Sequence, residues 1–135
     1  ASNSFFFLFY ITVINMYGEI DLESYTLSII RLNTAFQKLE NSDSLQEIKT
    51  LLEESLDDLE KIYRDTVDDL NSDEVNINEY YMFFQNGRQA FPQYIEALGS
   101  IENSELQEVV NSLLNVFTNL NKIAGGFSGG DMNET

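Results

Sequence analysis

The chain has 135 residues, 43% of them apolar and 22% charged, which suits one globular domain with a single hydrophobic core and excludes a disordered acidic tail. Seven Lys and Arg face twenty-three Asp and Glu, a formal charge of −16; a field of that sign repels nucleic-acid phosphates and attracts cations or a basic protein surface, besides keeping a protein soluble. The chain contains no Cys, His or Trp, which excludes disulfides, thiolate metal sites, cysteine nucleophiles, the Ser-His-Asp arrangement and the commonest general base, so no enzyme is expected.

The first element is the apolar run Phe5-Phe6-Phe7-Leu8-Phe9-Tyr10-Ile11-Thr12-Val13-Ile14. It is half the length of about twenty residues that a helix needs to cross a bilayer, so no membrane span is expected. No basic residue precedes it and no small-x-small cleavage pattern follows it, so the run reads as a core helix opening the domain and the chain as cytoplasmic. The alternative is a secreted protein in which residues 5–14 are the remnant of a signal peptide.

From Leu22 the apolar positions Leu22, Tyr25, Ile29, Leu32, Phe36 and Leu39 follow helical spacing up to the polar stretch Asn41-Ser42-Asp43. Ser44-Leu45-Gln46-Glu47 reads as a capping box opening a second helix, whose apolar side carries Leu45, Ile48, Leu52, Leu56, Leu59, Tyr63, Val67 and Leu70. On its outer face Asp57 with Lys61 and Glu60 with Arg64 stand at ion-pair spacing. A polar segment from Asp68 to Asn78 interrupts the pattern. Helix resumes at Glu79-Tyr80-Tyr81-Met82-Phe83-Phe84, weakens at Gly87, and should kink or restart at Pro92 before stopping at Gly99. Ser104-Glu105-Leu106-Gln107 is a second capping box, followed by Leu106, Val109, Val110, Leu113, Phe117 and Leu120 at helical spacing. Gly125, Gly126, Gly129 and Gly130 should end regular structure. The class is all-α. The division is one helical domain over 1–124, within it a helix-loop-helix pair over 5–90 and further helices over 91–124, then a Gly-rich tail over 125–135. The core should include Leu32, Phe36, Leu59, Tyr63, Phe84, Val110, Leu113 and Phe117.

The polar segment carries the functional hint. A calcium-binding helix-loop-helix offers oxygens at loop positions one, three, five, seven, nine and twelve, with glycine at six and an apolar residue at eight. Asp69, Asn71 and Asp73 stand at one, three and five; with the glycine position deleted, Glu74 is seven, Val75 eight, Asn76 nine and Glu79 twelve. The segment resembles an EF-hand shortened by one residue. Gly18-Glu19-Ile20-Asp21 followed by Tyr25 is similar to positions six to nine and thirteen of an earlier hand, although Val13, Tyr17 and Ser24 replace its carboxylates and only Asn15 suits position three. Gly125-Gly126-Phe127-Ser128-Gly129-Gly130-Asp131-Met132 can be laid on a third loop, with Leu120, Lys122 and Ala124 at ligand positions. The separation of the first two loops is similar to that of the sarcoplasmic calcium-binding proteins, and the chain resembles a degenerate member of that EF-hand group.

That resemblance implies paired EF-hand-like units and a non-enzymatic binding protein that has largely lost calcium coordination. Its cofactor is none, or calcium held weakly by Asp69, Asn71, Asp73, Glu74, Asn76 and Glu79. It also implies a partner protein, or an apolar small molecule enclosed by Phe5, Phe9, Tyr80, Met82, Phe83 and Phe117. The alternative is an up-and-down four-helix bundle without metal ancestry, an acidic secreted interaction or structural module.

Overall fold

The computed structural model describes residues 21–72 and 77–127, and all their side chains except those of 77–79. The expectations placed on residues 1–20, 73–76 and 128–135 lie outside the described residues. The fold is all-α. Four helices, α1 (Leu22–Glu40), α2 (Leu45–Leu70), α3 (Ile77–Gly99) and α4 (Gln107–Gly126), are joined by a turn at 41–44, the segment 71–76 and a connection holding the 3₁₀ turn Ser104–Leu106. None of the described helices is long and apolar enough to cross a membrane. The chain divides into two compact units, Ala1–Asp68 and Asp69–Thr135.

In the first unit α1 and α2 form an antiparallel hairpin. Lys38 Nζ meets Glu47 Oε2 at 3.0 Å, Arg31 Nη1 meets Asp58 Oδ2 at 2.8 Å, and the Ser55 hydroxyl donates to the Ser28 carbonyl at 2.9 Å. Partners rise along one helix as they fall along the other. The turn is set by a Schellman motif: the Asp43 N–H donates to the Lys38 carbonyl at 2.9 Å, the Ser42 N–H to the Leu39 carbonyl at 3.2 Å, and Ser42 takes φ 57°. Asp21 caps α1, its carboxylate accepting from the Ser24 N–H and hydroxyl.

The buried face of α1 is rotated from the expected one. Leu22, Tyr25, Thr26, Ser28, Leu32 and Ala35 are buried, whereas Ile29, Phe36 and Leu39 are half-buried. On α2 the buried set is Ile48, Leu52, Ser55, Leu59, Ile62 and Thr66, and Tyr63 is half-buried. The reason is steric. Small side chains at Ser28 and Ser55 let the backbones approach, as the bond from Ser55 to the Ser28 carbonyl requires, and the larger apolar side chains flank that line. The helix surface also pairs differently: Lys61 bonds Asp65 at 3.1 Å, one turn onward, rather than Asp57. The Glu47 carboxylate goes to Lys38 rather than back to the Ser44 N–H, so only the forward half of the expected capping box forms, at 3.5 Å from the Glu47 N–H to the Ser44 hydroxyl.

In the second unit α3 and α4 are also antiparallel. Phe84 meets Phe127, Gln85 donates to the Phe127 carbonyl, and Phe91 and Tyr94 meet Phe117. Helix α3 begins two residues before the expected Glu79 and neither restarts nor stops at Pro92. Proline removes the donor to the Arg88 carbonyl, but Arg88 and Pro92 are both exposed, where water can satisfy it. The cap before α4 is Asn103 and not Ser104: its side chain accepts from the Glu105 N–H at 2.9 Å. Gln107 reaches back to the Ile101 and Asn103 carbonyls. Gly125 lies in the last turn of α4, the helix ends at Gly126, and Phe127 is buried after it.

Candidate functional site

The sequence directs attention first to the segment after Asp69. Asp69 is the penultimate residue of α2 and is half-buried. Its Oδ2 accepts a hydrogen bond from the hydroxyl of Tyr80, in the first turns of α3. Asn71 is exposed, and the Ser72 N–H returns to the Asp69 carbonyl at 3.0 Å. Asp73, Glu74 and Asn76 lie outside the described residues, and Glu79 is described only in its backbone. Among the described residues no group of three or more acidic, His or Cys side chains could hold a metal ion. Of the described donors, one oxygen of the position-one carboxylate accepts from a buried tyrosine and Asn71 is exposed.

In the Gly18 loop, Asp21 and Ser24 stand at positions nine and twelve; they bond each other and cap α1. At the third loop, Leu120, Lys122 and Ala124 lie within α4, with Leu120 and Ala124 fully buried.

The aromatic side chains expected to enclose an apolar ligand have separate fates. Phe5 and Phe9 lie outside the described residues. Tyr80, Phe83, Phe84, Phe91 and Phe117 are buried and packed ring upon ring. Phe83 meets Phe84 edge-on at 4.9 Å, Phe84 stacks on Phe127 at 5.1 Å, and Phe117 lies 6.0 Å from Phe91 and stacks on Tyr94 at 5.3 Å. These are the spacings of rings in mutual contact. The cluster includes Tyr80, Phe83 and Phe117 of the expected set but not Met82, which is 46% exposed.

Beside Met82, Tyr81 is 39% exposed. Helical spacing could have signalled this. Tyr80, Phe84, Gly87, Phe91 and Leu98 fall on one stripe and are buried, whereas Tyr81 and Met82 point away from it. A second outward feature is α2, which holds nine of the acidic residues against three basic ones. Its exposed side presents Glu47, Glu53, Glu54, Asp57, Asp65 and Asp68.

No family model, curated protein or solved structure matches the chain. The fold and the described side chains define an acidic all-α protein.

Proposed function

We propose that the chain is a non-enzymatic binding protein, an EF-hand-like helical protein that has largely lost calcium coordination and engages a partner protein. One observation supports the choice of a partner protein over an apolar small molecule. Among the described residues, Phe83, Phe84, Phe91, Phe117 and Phe127 pack on one another, while Tyr81 is 39% and Met82 46% exposed. Exposed tyrosine and methionine are common at recognition surfaces. A net charge of −16 favours a basic partner surface and speeds the encounter. The EF-hand ancestry draws on the spacing of Asp69, Asn71 and Asp73 and on the helices that bracket them, α2 ending at Leu70 and α3 beginning at Ile77. Calcium, where it associates, does so weakly.

A second reading is favoured by the two antiparallel hairpins, which are the building blocks of an up-and-down bundle acting as an interaction module without metal ancestry. Both readings place function in contact with another protein. A photoreactive phenylalanine analogue at Met82, irradiated in the source cells, tests this. A discrete crosslinked polypeptide is expected from position 82 and not from the exposed Glu96 on the same helix. Equal yields from both, or none from either together with stoichiometric uptake of an apolar fluorescent probe, would overturn it.

A further inference from the structure

We propose that Asn86-Gly87 in α3 is a site of spontaneous covalent modification, with water as the only co-reactant and opening of the helix as the gate. It is the one Asn-Gly pair in the sequence. Asn86 is exposed, and Gly87 is buried beneath the ring of Phe91. Asparagine is among the thermolabile residues, and a following glycine puts no side chain in the way of attack. The Gly87 nitrogen bonds to Asn86 Cγ, its proton leaves with the side-chain nitrogen as ammonia, and a cyclic imide closes. Water then opens the imide at either carbonyl, leaving aspartate or isoaspartate at position 86 with the chain uncut.

Three features place this chemistry under the control of the fold. Within α3 the Gly87 N–H stands in the helix's own hydrogen-bond ladder and the helical backbone holds its nitrogen away from Asn86 Cγ, so the closed helix is inert. The helix is weak there by sequence: Asn86, Gly87 and Pro92 are poor helix formers, and Pro92 deprives the Arg88 carbonyl of its backbone donor. Packing is what holds it. Phe91 is fully buried, meets Phe83, Phe84 and Phe117, and lies over Gly87 where a side chain would collide with the ring. The glycine that admits the ring is therefore the residue that makes Asn86 labile.

The product also changes the helix surface. Residues 80–95 contain no Asp or Glu, so a carboxylate at position 86 is the first acid on that stretch, one helical turn from Met82. Its effect on a partner rests on the functional reading, whereas the modification does not. Wild type, Phe91→Leu and Asn86→Gln are incubated at neutral pH and body temperature, and position 86 is followed by peptide mapping with isoaspartate methyltransferase labelling. Product should accumulate in the native wild type and be absent from Asn86→Gln. Its rate should rise about tenfold in Phe91→Leu, the order of change in an opening equilibrium when a buried ring is trimmed. Wild type in urea below its unfolding midpoint gives the same reading without a substitution, and there the rate should climb with urea. A native wild type that forms no product at position 86 would overturn the proposal. So would one unchanging rate in buffer, in urea and in Phe91→Leu, because the helix would then be no gate.

Discussion

Gly87 lies directly beneath the ring of Phe91, one helical turn along: a Cβ at position 87 would stand 2.4 Å from Cε2 and 2.6 Å from Cζ of that ring. Phe91 is fully buried among Phe83, Phe84 and Phe117 and has nowhere to retreat. Gly87→Ala should therefore destabilise the protein by up to about 2 kcal/mol. The overpacking cost of about 1–3 kcal/mol is offset in part by the gain of about 1 kcal/mol in helix propensity, and the buried ring of Phe91 places the cost toward the upper end. Thermal denaturation checks this, and combining it with Phe91→Leu should recover part of the loss.

Ser42 occupies the left-handed position of the Schellman turn between α1 and α2 with φ 57°. An L side chain is disfavoured there and glycine is not. Ser42→Gly should raise stability by about 0.5–1 kcal/mol, read as a higher urea midpoint at unchanged slope. A lower midpoint would mean that the Ser42 side chain contributes to the turn.

Truncation of the core should separate two phenylalanines that the sequence pattern treats alike. Phe117, fully buried and in contact with Phe91 and Tyr94, should cost about 3–5 kcal/mol on replacement by Ala. Phe36, half-buried on the flank of α1, should cost about 1–2 kcal/mol. Equal losses in denaturation would contradict the rotated face of α1.

Lys38 is held above the ordinary lysine pKa, chiefly by its hydrogen bond to Glu47, with the Coulombic attraction of Glu47 next and of Asp43 last, burial opposing them slightly. A raised pKa in the folded state means that the pair's contribution is complete below the unfolded lysine value, about 10.4, and fades as pH rises through the folded one. Lys38→Gln should leave the stability profile flat over that alkaline window relative to the wild type. The difference between the two proteins should shrink as salt is added, because the pair is exposed.

Much of the architecture is legible in the sequence because helices announce themselves by periodicity. The stretches from Leu22, Leu45 and Leu106 contain the observed α1, α2 and α4, and Gly99 ends α3. What the pattern misses depends on partners. Small buried residues such as Ser28 and Ser55 carry no hydrophobic signal, so the faces of α1 and α2 come out misphased. Pro92 breaks helices on propensity alone, yet its position on the exposed side of α3 makes the lost donor tolerable. Gly125 and Gly126 read as terminators, and the helix does end at Gly126, with Phe127 docked on Phe84 as the cap. At the candidate site, the oxygen-bearing residues at Asp69 and Asn71 are legible as types, whereas the bond from Tyr80 to Asp69 is a pairing that spacing alone does not reveal.

The proposed function is contact with a partner protein, supported by the mutual packing of the described aromatic side chains. Native mass spectrometry of the protein isolated from its own source, sprayed with and without added calcium, tests this most directly. The predicted spectrum holds the bare chain, or the chain with a bound polypeptide, and shifts little with calcium. A stoichiometric adduct of small-molecule mass, or two or more tightly held calcium ions, would contradict it.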